Sequence, residues 1–390
     1  MRILQSEIHN PKSEIQNNMS TEIKTLETQA PGRVMSVDFF RGLTMFLLAG
    51  EASRLYEHFG EADSAFLNFF GTQLSHHQWH GMYFWDLIQP FFMFIVGVAI
   101  PFAVANRLKK GESMKKITLH ALKRSGLLLF FGWAIYFVAA GKLVFRFQNV
   151  LAQLSVTYLV AFLIMNRSVK FQLIFSLALL LFIDLAYRFF PVEGYNQPWE
   201  MWKNLGEWVN LQIEGVGHRT NWATLNVIST TAHTIWGVLC GKLLMSNKIS
   251  RKKLITLLIA GISCLVVGFA LDRFNITPII KRIATSSFVF ASGGWTILML
   301  AFSYWLIDVM KLFTKGARFF IVVGMNSIFI YLFFELRGAD FLTRIAGPFS
   351  SLIFSPAGEL TVAIVTSLLV WMAMWYMCYW LFKNKMFIKI

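Results

Sequence analysis

Long runs of apolar residues, separated by short polar loops, dominate the chain from residue 38 onward. A membrane-spanning helix needs about 20 such residues, and the runs reach that length repeatedly. Backbone polar groups inside a bilayer must be satisfied within each segment, so these runs predict helices. The fold class predicted is all-α, a polytopic membrane helical bundle of about ten (10–11) transmembrane helices. We place the spans near residues 38–53, 83–106, 120–141, 148–166, 170–190, 222–246, 253–271, 284–310, 318–337 and 359–382.

The remaining segments are short, apart from the N-terminus. The first 33 residues are polar and lack an apolar core of the signal-peptide type. We expect residues 1–33 to form a disordered cytoplasmic tail and residues 34–390 to form a single transmembrane domain. The composition agrees with a membrane domain, since 56% of the residues are hydrophobic and 39 are Phe.

The net charge of +15 is distributed unevenly among the loops. Basic residues are concentrated after the second predicted span and between the sixth and seventh spans. Lys and Arg accumulate in cytoplasmic loops, so this bias predicts that both termini are cytoplasmic. The charge therefore does not indicate nucleic-acid binding, and a basic cytoplasmic face would attract anionic lipid or a phosphorylated cosubstrate. The residues concerned are Arg107, Lys109, Lys110, Lys115, Lys116, Lys123 and Arg124, then Lys248, Arg251, Lys252 and Lys253.

A polar cluster stands immediately before the second span, on the predicted outer face. His76, His77 and His80 are three of the chain's 8 histidines, and Asp86 follows them. Imidazoles titrate near neutral pH, so the cluster indicates proton-transfer or nucleophilic chemistry at the membrane edge. The alternative is a polar loop whose histidines lie among lipid headgroups. Pro90, one helical turn after Asp86, cannot donate the hydrogen bond that the Asp86 carbonyl would accept, so we expect broken helical bonding here.

Other polar groups lie inside predicted spans. Asp38 and Arg41 are three residues apart on one helix face, and we interpret them as a structural ion pair. Glu51 lies near the outer end of the same span, and Asn326 lies in the ninth. Ionisable groups in such positions need partners or water.

A long outer loop, from about Arg188 to Asn221, is rich in Trp and Glu. It is typical of an aromatic belt, and it would also suit a lid over a polar ligand such as a sugar. The three cysteines, Cys240, Cys264 and Cys378, all fall within predicted spans, so no disulfide framework is expected in the outer loops.

Three segments, in order, resemble a known family. Residues 33–45 read Arg-Val-Met-Ser-Val-Asp-Phe-Phe-Arg-Gly-Leu-Thr-Met. From His76 the chain reads His-x-x-Trp-x-Gly, and from Asp86 it reads Asp-Leu-x-x-Pro-x-Phe-x-Phe-x-x-Gly. Residues 324–328 read Gly-Met-Asn-Ser-Ile. Together they resemble signatures of the transmembrane acyltransferases related to heparan-α-glucosaminide N-acetyltransferase, over about residues 33–345.

The resemblance implies an N-acetyltransferase that takes acetyl from cytoplasmic acetyl-coenzyme A, without a metal. The acceptor would be the amine of a glucosamine-type sugar on the outer face. The family's essential histidine falls on His76, as a transient acetyl carrier or a general base, and we expect Asp86 to orient or stabilise its imidazole. For the acceptor we expect contacts from Trp79, Glu51 and Asn326, and for the anionic donor from Lys123, Arg124 and Arg146.

The chain also departs from the family pattern. The family tends to have an Asn near the outer end of the first span, where this chain reads Gly50-Glu51-Ala52-Ser53. The size, without a large lumenal domain, resembles a bacterial branch, which implies the inner membrane and a free or murein-derived amino sugar as acceptor. The partners expected are acetyl-coenzyme A, an amino sugar or glycan, membrane lipid and a second copy in a homodimer, but no nucleic acid.

Two other classes of protein remain as alternatives. A secondary transporter or flippase for a sugar-like solute would also need broken spans and polar groups near the midplane, although such folds typically have two similar halves. A membrane metal oxidase would use His76, His77 and His80, the first and last of which are one helical turn apart, but the other histidines are too scattered to supply the further ligands.

Overall fold

The computed structural model describes residues 34–215 and 220–388. Within this part of the chain the regular elements are helices, and no strand forms. The predicted tail, residues 1–33, lies outside the described residues, so the division into a tail and a single domain stays a prediction. The helices are α1 (Met35–Ala52), α2 (Leu55–Gly60), α3 (Ala65–Gln73), α4 (Ile88–Lys109), α5 (Met114–Ala140), α6 (Val150–Ile164), α7 (Val169–Arg188), α8 (Leu205–Glu214), α9 (Asn226–Met245), α10 (Ser250–Arg273), α11 (Ser286–Ser303), α12 (Thr314–Met325), α13 (Ser327–Glu335), α14 (Gly338–Phe354) and α15 (Glu359–Lys383).

Six helical segments of the described chain are long and apolar enough to cross a membrane. They are Phe84–Lys109, α5, α7, α10, Ser286–Val309 and α15. Helices α12 and α13 meet at an angle of 62° and would together form one further, broken span. The helical membrane bundle is therefore confirmed, but the predicted count of about ten spans is not. One reason is that α6, within the predicted span 148–166, has only 15 residues.

The second predicted span lies at the centre of the bundle. In the most apolar part of Phe84–Lys109 83% of the residues are buried, against 17% for α10, whose side chains face outward. Helices α4 and α9 approach closely because both carry glycine at the crossing. A Cβ atom on Gly97 would lie 2.0 Å from the Thr234 carbonyl oxygen, and one on Gly237 would lie 2.1 Å from that of Phe94. Small residues of this kind let helix backbones meet inside a bilayer.

The start of this central span differs from the sequence expectation. A short 3₁₀ turn, Phe84–Leu87, precedes α4, which begins only at Ile88. Pro90 therefore lies in the first turn of α4, where its missing N–H removes no helical hydrogen bond. The change from 3₁₀ to α-helix, rather than a proline break, leaves Asp86 at the mouth of the span.

Candidate active site

Asp86 is fixed by the backbone around it. The Tyr83 N–H donates to its Oδ2 at 2.9 Å, and the His77 N–H approaches the same oxygen at 3.3 Å. These contacts cap the 3₁₀ turn, and the Asp86 side chain is completely buried. A buried carboxylate needs such donors and a counter-charge.

His76 lies against this carboxylate. Its Nδ1 is 3.3 Å from Asp86 Oδ1, and its Nε2 points the other way, 3.8 Å from Glu51 Oε1. The His76 side chain is 35% exposed and that of Glu51 is 42% exposed, so Nε2 faces the accessible side of the cluster. Trp85, which is buried, donates from its indole N–H to Glu51 Oε1 at 2.7 Å. The loop, the 3₁₀ turn and the end of α1 thus converge on one imidazole.

Lys281 completes the cluster, and sequence reasoning missed it. It lies in the loop between α10 and α11, with Nζ 3.1 Å from His76 Nδ1 and 3.3 Å from Asp86 Oδ1. Its side chain is 4% exposed. Burial lowers the pKa of Lys281 to about 8, although the Asp86 carboxylate opposes this shift. Sequence reasoning also missed the next residue, Arg282, because two basic residues in a loop predicted to be on the outer face carry no distinctive sequence signal.

The two loops are tied together through their backbones. The Gly81 N–H donates to the Ile279 carbonyl oxygen at 2.9 Å. Gly81 has a φ of +132°, a conformation that side chains with a Cβ rarely adopt. A Cβ there would also lie 2.6 Å from His77 Nε2. This accounts physically for the glycine that ends the His-x-x-Trp-x-Gly motif.

Trp222 forms one wall of the cluster. Its ring meets that of His76 edge to face at 5.3 Å, and Lys281 Nζ lies 5.0 Å from its centroid. Arg282 covers the same ring at 4.8 Å and donates to Asn221 Oδ1 at 2.7 Å. The end of the long Trp-rich loop is therefore part of the site. Cation–π contacts of this kind hold the basic residues in place.

The surroundings of His76 favour the neutral form of its imidazole. Burial lowers the pKa of His76 below its ordinary value. The hydrogen bond with Asp86 opposes this shift, and the nearby Lys281 adds to it. A neutral imidazole with one nitrogen accessible can accept a proton or attack an acyl carbon.

The other two loop histidines have different surroundings. The His77 ring packs edge to face on Tyr83 at 4.7 Å. His80 Nε2 lies 2.7 Å from Asp272 Oδ1, and its side chain is 59% exposed. Among the residues that the structure describes, no three His, Cys, Asp or Glu side chains are arranged to hold a metal ion.

The residues predicted to bind the acetyl-coenzyme A donor lie on or beside α5, at two separate positions along its length. On α5, Lys123 is exposed, and Arg124 covers the Tyr158 ring at 4.8 Å. Arg146 covers the Tyr136 ring at 5.7 Å. Tyr136 lies about 18 Å further along α5 than Arg124, at the helical rise of 1.5 Å per residue. Arg146 is therefore separated from the other two, and their role in donor binding stays a prediction.

The structure brings Glu51, but not Asn326, to His76. Asn326 is fully buried, and its Oδ1 accepts a hydrogen bond from the Ile388 N–H at 3.0 Å, beyond the end of α15. Trp79 donates from its indole to the Trp199 carbonyl oxygen at 2.7 Å, which fastens the long loop to the histidine loop.

Near the start of α1, Arg41 donates to Asp38 Oδ1 at 2.7 Å. These two residues precede Glu51 by several turns of the same helix, so this ion pair lies far from the His76 cluster.

The fold and cluster define a helical membrane protein with a His–Asp–Lys group at one end of its central span, in which the Asp and the Lys are buried and the His is partly exposed. Mouse heparan-alpha-glucosaminide N-acetyltransferase is 25% identical over an alignment 400 residues long, and this alignment covers 86% of the present chain. The human protein of the same name is 23% identical over an alignment 409 residues long, which also covers 86% of the present chain. The chain spans 58% of the length of each of these relatives. No family profile matches it. The resemblance drawn from the motifs is thus confirmed as a relationship to these proteins.

Proposed function

We propose that this protein is a membrane N-acetyltransferase that moves an acetyl group from acetyl-coenzyme A to the amine of a glucosamine-type acceptor. The observation that carries the proposal is the His76 imidazole, held at Nδ1 by a buried carboxylate and with Nε2 turned toward the partly exposed Glu51. The similarity to two proteins named heparan-alpha-glucosaminide N-acetyltransferase supports the acetyltransferase class.

The chemistry requires an unprotonated nitrogen at the site. In one route, His76 Nε2 attacks the thioester carbonyl and coenzyme A leaves as its thiolate, which takes a proton from water; the acceptor amine then displaces the imidazole and gives up a proton to water. In the other, Nε2 takes the amine proton while the amine attacks the thioester directly, and the imidazolium then gives that proton to the departing coenzyme A thiolate. In both routes Asp86 holds the Nδ1 proton and stabilises the positively charged ring, and Glu51, 3.8 Å from Nε2, contacts the acceptor.

The charge pattern supports an orientation. With the basic loops and both termini in the cytoplasm, the donor enters on the side of Lys123 and Arg124, and His76 and Trp79 meet the acceptor on the outer face. In a bacterial inner membrane, that acceptor is a free or murein-derived amino sugar. A homodimer, Arg146 in donor binding and Asn326 in acceptor binding belong to the same proposal.

The test uses purified protein, acetyl-labelled acetyl-coenzyme A and a panel of amino sugars, with product mass as the readout. A general base contributes about 10²–10⁴-fold in rate, so His76→Ala should lose at least that much while still binding acetyl-coenzyme A. Asp86→Asn should lose less. His80→Ala is the matched control, since His80 lies in the same loop but pairs with Asp272 instead.

Near-normal turnover of His76→Ala with an acceptor that the wild type uses would contradict the histidine assignment. The transporter alternative would be favoured by two results together: none of the amino sugars becomes acetylated, and the protein moves an unmodified sugar across a proteoliposome membrane.

A further inference from the structure

The position of Lys281 creates a competition at one atom of His76. Nδ1 has two polar neighbours of opposite charge, the Asp86 carboxylate at 3.3 Å and the Lys281 ammonium at 3.1 Å. An imidazole nitrogen either donates or accepts a hydrogen bond, never both. If Nδ1 donates to Asp86, the neutral ring has its lone pair on Nε2. If Nδ1 accepts from Lys281, the proton of the neutral ring is on Nε2.

Only the first of these two tautomers can react at the accessible nitrogen. Nε2 faces Glu51 on the exposed side of the cluster, and Nδ1 faces the buried side. The Lys281 ammonium has an alternative acceptor in Asp86 Oδ1 at 3.3 Å, so a small movement of Nζ is enough to release Nδ1. The triangle formed by Nζ, Nδ1 and Oδ1 therefore has two hydrogen-bonding arrangements.

We propose that Lys281 is a positioning residue that keeps His76 neutral and controls which of its ring nitrogens carries the proton. This rests on the proposed acetyl transfer. When His76 accepts a proton at Nε2, Nδ1–H bonds to Asp86, and the Lys281 ammonium shifts to Asp86 and keeps its own proton. When the proton leaves Nε2, Nδ1 keeps its own hydrogen on Asp86 and the ammonium remains on Asp86; the ammonium contacts Nδ1 only in the tautomer whose proton is on Nε2.

The charged groups around the cluster agree with this role. Asp86 from the 3₁₀ turn and Glu51 from α1 attract the ammonium, and Arg282 from the same loop repels it. The Trp222 ring lies on a further side of Nζ, at 5.0 Å. Because Lys281 is almost fully buried, water competes little with these contacts.

The direct test measures the titration of His76 rather than turnover. Diethyl pyrocarbonate acylates neutral imidazoles, and peptide mass spectrometry follows the His76 peptide across a range of pH. In Lys281→Gln the Asp86 charge is no longer offset, so the titration midpoint of His76 should rise by about one to three pH units. Lys281→Arg keeps the charge, so its midpoint should stay at the wild-type value.

Arg282→Gln is the matched control. It removes a neighbouring cation that bonds to Asn221 and the Gln78 carbonyl rather than to the Nδ1 triangle. Its midpoint should rise by less than that of Lys281→Gln. An unchanged midpoint in Lys281→Gln, or an equal rise in both variants, would overturn the proposal.

If Lys281→Gln does not fold, a second comparison replaces it. Asp86→Asn leaves Lys281 as a lone cation beside His76, and Asp86→Asn with Lys281→Met removes both charges. The double variant should titrate at a higher pH than Asp86→Asn alone, by about one to three pH units. Equal titration midpoints of His76 in Asp86→Asn and in the double variant would also overturn the proposal.

The acylation test is independent of acetyl transfer, so the two proposals fail separately. If acetyl transfer is also observed, its kcat/KM can be followed against pH. In Lys281→Gln the acidic limb of this profile should shift to higher pH by the same amount as the acylation midpoint. A lysine with only a structural role would leave the limb at its wild-type pH. A shifted midpoint without acetyl transfer to any amino sugar would support the role of Lys281 and contradict the proposed function.

Discussion

Neutralising Asp86 should destabilise the protein strongly, because it leaves Lys281 as a buried, unpaired cation. The two charged atoms are 3.3 Å apart, and both side chains are almost completely buried. At an effective dielectric constant of about 20, their attraction is about 5 kcal/mol. Removal of one partner from a buried ion pair typically costs about 3–5 kcal/mol. We therefore expect Asp86→Asn to lower the free energy of unfolding by about 3–5 kcal/mol at pH 7.

The chain carries its own reporters for this measurement. Cys240 and Cys378 are buried free thiols, so a fluorogenic maleimide reacts with them only as the bundle opens on heating. A change of 1 kcal/mol moves the melting temperature of a domain by about 2–4 °C, so the variant should melt on the order of 10 °C lower. Asp63→Asn is the matched control, since Asp63 is exposed and its substitution should leave melting unchanged.

The loss of stability in Asp86→Asn should also depend on pH. The burial of Lys281 determines whether this loss grows or shrinks as the pH rises. Its pKa in the folded protein, about 8, lies below the ordinary 10.5. Between these values the unfolded chain binds more protons, so this group makes stability rise with pH, by up to about 3 kcal/mol. In Asp86→Asn the lone lysine sheds its proton more readily, so the deficit relative to wild type should shrink from pH 7 to pH 10.

Equal melting of Asp86→Asn and wild type at pH 7 would refute this reasoning, as would a deficit that grows with pH. Adding Lys281→Met should restore part of the lost stability, because an apolar pair carries no unpaired charge.

Three further predictions test the orientation, the donor site and the packing. A cysteine replacing Asp63 should react with an impermeant thiol reagent in intact cells, and one replacing Lys110 should not; the opposite pattern would reverse the orientation. Arg124→Gln should weaken acetyl-coenzyme A binding by about 10–100-fold in calorimetry, with acceptor binding unchanged, and equal donor affinity would contradict the assignment. Gly237→Ala should cost about 1–3 kcal/mol by forcing α4 and α9 apart, whereas Gly126→Ala, with nothing within 4 Å of its Cβ, should not lower the melting temperature.

Local features of the fold and of the site could be predicted from sequence. The helical character followed from apolar runs, and Arg41 lies against Asp38 because residues three apart share a helix face. His76 and Asp86 were singled out by residue type and position at the edge of a span. The 3₁₀ turn that joins them was not foreseen, because a proline one turn after Asp86 fits a helix start as well as a break.

Long-range features could not be predicted in this way. Lys281 follows His76 by 205 residues, and nothing in its own neighbourhood marks it as part of a site. Trp222 was one of several tryptophans in a long loop, and only the folded chain shows that it meets the imidazole ring. The predicted count of about ten spans is not confirmed, because hydropathy measures apolar composition only, whereas α6 lies within a predicted span but has only 15 residues.

The order of synthesis gives the Asp86–Lys281 pair a further consequence. The central span leaves the ribosome long before the loop that carries Lys281. At about 5–20 residues per second, the 205 residues between His76 and Lys281 take roughly 10–40 s to make. During that interval the carboxylate at the mouth of the span has no lysine, so it must stay hydrated at the bilayer surface or hold a proton. The nascent bundle can close around His76 only after α10 has been inserted.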